Sequence, residues 1–437
     1  MRSAPLYALL FSLIAPTVAS SIVRAEEHGG KLTLQEAERL ALSDSPSLRS
    51  ATARIRASAE LRKAGISRML PTLAFQTDFQ HWDSAYGIAF DPTAPPIIVR
   101  EENTNTFAAA ANQPLLGLLR LVEEYRVQKE NQAASEAQLL VAKANVRTGV
   151  RVSFLRYFEA NAIAEIALQS EKELAEQVTI AQAKLKAGVL TNADLLRVQV
   201  AAANAKQQEI VGRTQAAVAR ATILITIGKG PDDGVELVEP TELLQAARGT
   251  PTAYSAAIEQ ALSARPDLRV TRSAVEASQH QQRARLYAML PEINLQAGYT
   301  NIYGQKFAPP NAEYIGIKAG WLWDWGASLF GYRAARTQTV AAREDLEAQK
   351  RQVATEVSTD LLQSQSARSA VTLAEQSIAS AAEAYRVTDA LLKAGSATTT
   401  DLLESQSALS QARLNLVRAQ YQLALAYVAM QRSMGQQ

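Results

Sequence analysis

The chain has 437 residues, 47% hydrophobic and 20% charged, with a formal net charge of +2, no cysteine and three histidines. That near balance leaves no basic surplus for a nucleic acid. The lack of cysteine excludes a disulfide framework, a thiolate metal site, a thiol nucleophile and a lipid-modified N-terminal cysteine. His28, His81 and His280 are too scattered to suggest a metal cluster, and no cofactor is expected.

In chain order, residues 1–25 read as a secretory signal peptide. Arg2 precedes an apolar run from Leu6 to Val18, too short to span a membrane, and Val23-Arg24-Ala25 offers a small-x-small cleavage site. A helix is expected over about 47–68, ending at Leu70-Pro71 because a residue before proline is pushed out of the helical region. The side-chain period then changes to two, weakly at 73–83 (Leu73, Phe75, Phe79) and at 104–113, which predicts a β-hairpin. All fifteen prolines fall within 5–114 or 231–310, so the alanine-rich stretches 115–230 and 311–437 are free to form very long helices. Leu115 to Lys186 would be one helix, Gly188 a turn, and a return helix would run to about Ile227. Gly228-Lys229-Gly230-Pro231 lacks the spacing of a phosphate loop and opens a linker over 229–254.

The second half repeats the first. Ala41-Leu42-Ser43, Pro46, Leu48-Arg49 and Met69-Leu70-Pro71 return as Ala261-Leu262-Ser263, Pro266, Leu268-Arg269 and Met289-Leu290-Pro291. Lys186-Ala187-Gly188 and Asp194-Leu195-Leu196 return as Lys393-Ala394-Gly395 and Asp401-Leu402-Leu403. The offset shrinks from 220 to 207, so the first copy is thirteen residues longer, and Pro92–Pro96 is the natural place for the excess. A helix over 267–288 precedes strands at 293–303 and 313–323, the latter with Ile315, Ile317, Trp321 and Trp323 on one face. A helical hairpin over 328–434 follows, turning at Gly395. Its last helix carries Leu402, Leu409, Leu416, Leu423 and Met430 every seven residues, with Ala412, Ala419 and Ala426 three further on. That repeat is a coiled-coil seam. The expected boundaries are therefore 26–228 and 255–437 for the two repeats. Four amphipathic strands cannot close a barrel alone, so the physics calls for an oligomer with a membrane β-barrel and helices extending about 100 Å from it.

The order signal peptide, Leu32-Thr33-Leu34-Gln35-Glu36-Ala37, Pro46, Met69-Leu70-Pro71, Gln113-Pro114-Leu115-Leu116 and Lys186-Ala187-Gly188, with most of it repeated, resembles the TolC-type outer-membrane efflux family over essentially the whole mature chain. The resemblance implies mixed α and transmembrane β structure: a homotrimer with a twelve-stranded barrel in outer-membrane lipid, continuous with an antiparallel α-helical coiled-coil barrel in the periplasm. It implies a passive exit duct, not an enzyme. Its partners would be a periplasmic adaptor and an inner-membrane transporter, either a proton-driven pump or an ABC exporter. The rival reading is a soluble periplasmic coiled-coil adaptor or scaffold, which would need no lipid-facing strand row.

Thr191 with Asp194 and Thr398 with Asp401 have the spacing of helix caps. The resemblance further implies that Asp401 and Glu404, with Asp194, line the periplasmic constriction, where crowded like charges would raise some carboxyl pKa values. Gly188, Val189, Leu190, Gly395, Ser396 and Ala397 would form the tip that meets the adaptor. Ile315, Ile317, Trp321 and Trp323 would face lipid or form an aromatic girdle. Relatives often carry a lipidated cysteine, absent here, and brace the tip with an aromatic and an arginine where this chain has Leu392 and Ala397.

Overall fold

One element order occurs twice along the chain. A computed structural model describes residues 30–90, 95–249, 253–307 and 309–436; the expected signal peptide and residues 91–94 of the loop with the proline cluster lie outside these. The first copy comprises β1 (Lys31–Leu32), α1 (Leu34–Asp44), α2 (Pro46–Ser67), β2 (Thr72–His81), β3 (Tyr86–Ile88), β4 (Ile97–Pro114), α3 (Leu118–Lys186) and α4 (Asn192–Thr226). Between the copies lie β5 (Glu236–Leu237) and α5 (Thr241–Ala247). The second copy comprises α6 (Tyr254–Ala264), α7 (Pro266–Tyr287), β6 (Glu292–Gln305), β7 (Asn311–Gly320), α8 (Ala327–Lys393) and α9 (Thr399–Ser433). Pro46 and Pro266 open α2 and α7 at the first helical position, where the missing N–H costs nothing.

The 69 residues of α3 make a rod about 100 Å long. Its chain reverses at Gly188, with φ +71°, in a Schellman turn: the Val189 N–H donates to Lys184 O at 3.0 Å and the Gly188 N–H to Leu185 O at 3.0 Å. The second hairpin turns in the same way at Gly395, with φ +77°, where the Ser396 N–H donates to Leu391 O at 2.8 Å. On α9 the seven-residue seam is inward: Leu402, Leu409, Leu423 and Met430 are buried with Ala412 and Ala426, while Leu416 is half-buried.

The helices lie side by side. In the half nearer the sheet the order is α2, α3, α7, α8; in the far half it is α4, α3, α9, α8. Around the waist, α1 with β1 and β5 covers Val150, Phe154, Ile223 and Leu224, and α6 covers Val353, Val357 and Leu361 of α8. The four long strands run antiparallel in the order β2-β4-β6-β7, with short β3 pairing on β4. β4 begins at Ile97, earlier than alternation predicted, because the charged run Arg100-Glu101-Glu102 hides a strand that pairs locally with β3.

One expectation is corrected. The last strand ends at Gly320, so Trp321 and Trp323 lie beyond it. Their alternation mimics a strand, but the last pair is Glu292 with Gly320, and Pro291 turns the neighbouring chain away before a further partner is available.

Helices α3 and α4 pack tightly at Gly212, where an added Cβ would stand 3.0 Å from the Ala164 Cα. Gly212→Val should wedge the hairpin apart at a cost of about 1–3 kcal/mol. The expected outcome is a lower melting temperature by circular dichroism in detergent; unchanged melting would contradict this close approach.

Candidate functional site

Strand register sorts the sheet into two faces. Leu73, Ala111, Ala297 and Ile315 form one row, Phe75, Ala109 and Tyr299 belong to the next, and Leu295 pairs with Ile317, all on the odd-numbered face. The even-numbered face carries Gln76, Asp78, Thr106, Asn112, Gln296, Thr300 and Lys318. Phe75, Ile315 and Ile317 are 73%, 79% and 71% exposed, an apolar display that water would oppose and hydrocarbon would favour. Toward its loop end the odd face becomes polar at Asn301, Asn311 and Glu313. Both edge strands have ten residues, the length a tilted strand needs to cross a bilayer core. No described helix is long and apolar enough to cross a membrane.

The opposite end of the molecule is the pair of helical turns. The Thr191 hydroxyl caps α4, accepting from the Asp194 N–H at 3.2 Å and donating to Asp194 Oδ2 at 2.6 Å. At the second turn Thr398 and Asp401 form a reciprocal capping box: Asp401 Oδ2 accepts from the Thr398 N–H at 2.8 Å and from its hydroxyl at 2.7 Å. These bonds, the backbone one first, hold the Asp401 carboxyl below the usual aspartate range. Within one protomer Asp401 therefore shifts opposite to the raised value expected from crowding. Glu404 stands one turn further on and is likewise exposed, with buried Leu402 between them.

The turns of the two hairpins meet. Leu403 of α9 packs on the small cluster of Ala181, Leu195 and Val198. Arg197 pairs with Asp194 at 3.4 Å and donates across to Thr400 Oγ1 at 3.2 Å. The structure thus brings Asp194 close to the start of α9. It does so through Arg197 and Thr400, a link the sequence left unseen because the two residues are 203 positions apart. Val189 is 75% exposed at the first turn, whereas the second presents Ser396 and Ala397. Nothing in this geometry performs covalent chemistry. It offers an apolar belt, a polar opposite face and a charged far end, which are the parts of a pore.

The sequence profile of the family described as outer membrane efflux protein matches residues 38–229 and 257–436, one stretch in each repeat. The chain belongs to this family. The outer membrane efflux protein BepC of Brucella suis is 27% identical over 70% of this chain and 68% of its own length. The alkaline protease secretion protein AprF of Pseudomonas aeruginosa is 25% identical over 65% of this chain and 62% of its own. The fold is that of the outer membrane protein VceC from Vibrio cholerae, with a TM-score of 0.78 at 16% identity, covering 92% of this chain and 96% of that one. The protein is an outer-membrane channel with a helical barrel in the periplasm, not an enzyme, and the adaptor alternative is set aside.

A charge on the odd face should oppose membrane assembly. Ile317→Arg should cost roughly 2–4 kcal/mol if it lies near mid-bilayer, while Trp321→Arg, beyond the strand end, should cost about 0–1 kcal/mol. Trimer yield from outer membranes measures both; equal yields would reverse the face assignment.

Proposed function

We propose that three copies join head to tail into a single duct, the outer-membrane exit of a tripartite efflux or secretion system. The observation that carries this reading is where the layers stop. The sheet leaves the outer edges of β2 and β7 without a partner, the upper helix row ends at α2 and α8, and the lower row ends at α4 and α8. Every layer is open on the same two sides. The helices at those ends carry exposed apolar residues, among them Val200, Val218 and Ile225 on α4 and Leu362, Leu373 and Leu391 on α8. Such an interface is heterologous and must close into a ring or grow without limit. Three chains with four long strands each give twelve strands, enough to leave a hollow barrel where eight would be filled by side chains.

In this reading the even-numbered face lines the barrel lumen, and Asp401, Glu404 and Asp194 ring the narrow periplasmic end. Gly188, Val189, Leu190, Gly395, Ser396 and Ala397 present the tip to an adaptor, which couples the duct to an inner-membrane transporter. A water-filled conduit lined by amides and hydroxyls does little to select cargo, so an efflux relative and a protease-secretion relative are both compatible with it. The transporter then decides what passes.

Extraction in mild detergent should yield a trimer, and a stable folded monomer would overturn the reading. In planar bilayers the trimer should pass cations more readily than anions and be blocked by multivalent cations. Asp401→Ala with Glu404→Ala should remove both properties while the trimer persists. Unchanged selectivity and block would reduce the two carboxylates to cap and surface residues.

A further inference from the structure

The odd-numbered apolar alternation of β7 continues in sequence past the end of the strand. After Ile317 and Ala319 come Trp321, Trp323 and Trp325, whose rings stack edge to face at centroid distances of 5.8 and 6.4 Å. Trp325 is 88% exposed, and its φ of +55° makes it the one non-glycine residue with left-handed backbone among the described residues. That conformation is strained for a bulky residue and persists only where neighbours impose it. Asp324 imposes it here. Its Oδ2 accepts from the Ser328 N–H at 2.8 Å, its Oδ1 from the Gly326 N–H at 3.3 Å, and its carbonyl from the Ala327 N–H at 3.2 Å. A strained turn thus holds an indole where nothing in the protomer covers it.

The strip continues onto α8. The Phe330 ring lies 3.5 Å from where a Cβ on Gly326 would stand, and the Arg333 guanidinium sits 5.8 Å from the Phe330 ring centroid. Arg333 and Arg336 are exposed, and neither has a carboxylate at ion-pair distance among the described residues. Beside the tryptophans an open groove of about 710 Å³ is walled by Met289, Leu290, Trp321, Trp323 and Leu329. Its carboxylates, Glu292 and Asp324, lie at the strand end and turn, so an anion is favoured only beyond them, at the arginines.

We propose that the strip from Trp321 to Arg333 binds an anionic phospholipid of the periplasmic leaflet, with the indoles at headgroup level and the phosphate at Arg333 and Arg336. Indoles favour the interface because one edge is polar and the body is not. Guanidinium groups match phosphate oxygens in pairs. A second copy of the chain would join along the edge of β7 and the side of α8, whereas the tryptophans continue in sequence the odd-numbered row of Ile317 and Ala319, the row read here as facing lipid. The inference rests on the reading of the odd-numbered face as the lipid face.

The chain has four tryptophans, so Trp82→Phe leaves the three in the strip as the only indole fluorophores. Trimers of this variant, reconstituted in phosphatidylcholine vesicles, receive the same mole fraction of brominated phosphatidylcholine or brominated phosphatidylglycerol. Both labels should quench, the anionic one more, with a local enrichment of about fivefold per arginine. Arg333→Gln with Arg336→Gln should remove the excess and leave quenching by phosphatidylcholine intact. Phosphatidylglycerol retained by the unsubstituted trimer, counted by native mass spectrometry, repeats the comparison without Trp82→Phe. No quenching by either label would mean that protein covers the strip, and equal quenching would mean that no headgroup is read; either overturns the proposal. Conductance in pure phosphatidylcholine reports the duct separately: open trimers without lipid preference sink this inference alone, and failure to form trimers sinks the duct reading as well.

Discussion

A strand edge in hydrocarbon cannot remain unpaired, and β2 and β7 each present ten residues of such edge. The rest of the molecule follows from that requirement, because the helices inherit the order of the strands. Helix α2 leads into β2, β4 runs into α3, α7 leads into β6, and β7 runs into α8. The strand order β2-β4-β6-β7 is therefore repeated below the sheet as α2, α3, α7, α8. Closing one layer into a ring closes the other. The covalent joints are short, and the Leu115 N–H donates to Ile293 O at 2.8 Å, carrying strand pairing down to the start of the helical wall.

Farther down, the wall keeps four helices by exchanging two of them. Helix α9 ends at Ser433 near where α7 begins at Pro266, and together they fill the space between α3 and α8 from below and above. Arg265 ties this joint: it pairs with Asp267 at 2.6 Å and with Glu356 of α8 at 2.6 Å, and donates to Ser433 O at 3.4 Å. Burial alone would raise the Asp267 carboxyl, but the hydrogen bonds and charge of Arg265 outweigh it and hold Asp267 below the usual range. Both repeats close this joint with a left-handed glycine: Gly228, with φ +79°, faces the Asp44 side chain, and Gly435, with φ +72°, faces the backbone of Ala264 and Arg265. Only the second repeat adds the arginine that ties the joint together.

The parts legible in the sequence were those that repeat. The seam from Leu402 to Met430 recurs every seven residues because it faces a single neighbour along its whole length, and burial follows the pattern except at half-buried Leu416. The turn glycines were legible because left-handed backbone excludes most other residues. Strand ends were less so. Trp321 and Trp323 keep a period of two without a partner strand, since alternation reports which side a residue faces and not whether its backbone is paired. The Arg197 to Thr400 bond and the strained Trp325 were not legible at all. One depends on two hairpins folding against each other, and the other on a backbone angle that a sequence does not display.

The two tips carry the clearest trace of divergence after duplication. Both hairpins end in Lys-Ala-Gly, reverse through the same turn and restart on a threonine cap three residues before an aspartate. Three residues past that aspartate the first copy has Arg197 and the second Glu404. Arg197 reaches back to Asp194, so the first tip carries a paired charge, and the hydrogen bond to Thr400 uses the same guanidinium to hold the second tip. Glu404 adds to Asp401, whose own charge is already committed to the cap. A carboxylate held by a cap is fixed in place and stays ionised, whereas Glu404 is attached one turn deeper and has no ion pair among the described residues. The division of labour is then physical: the first hairpin neutralises and braces, and the second concentrates negative charge at the start of its helix, where threefold repetition would turn a local excess into a ring.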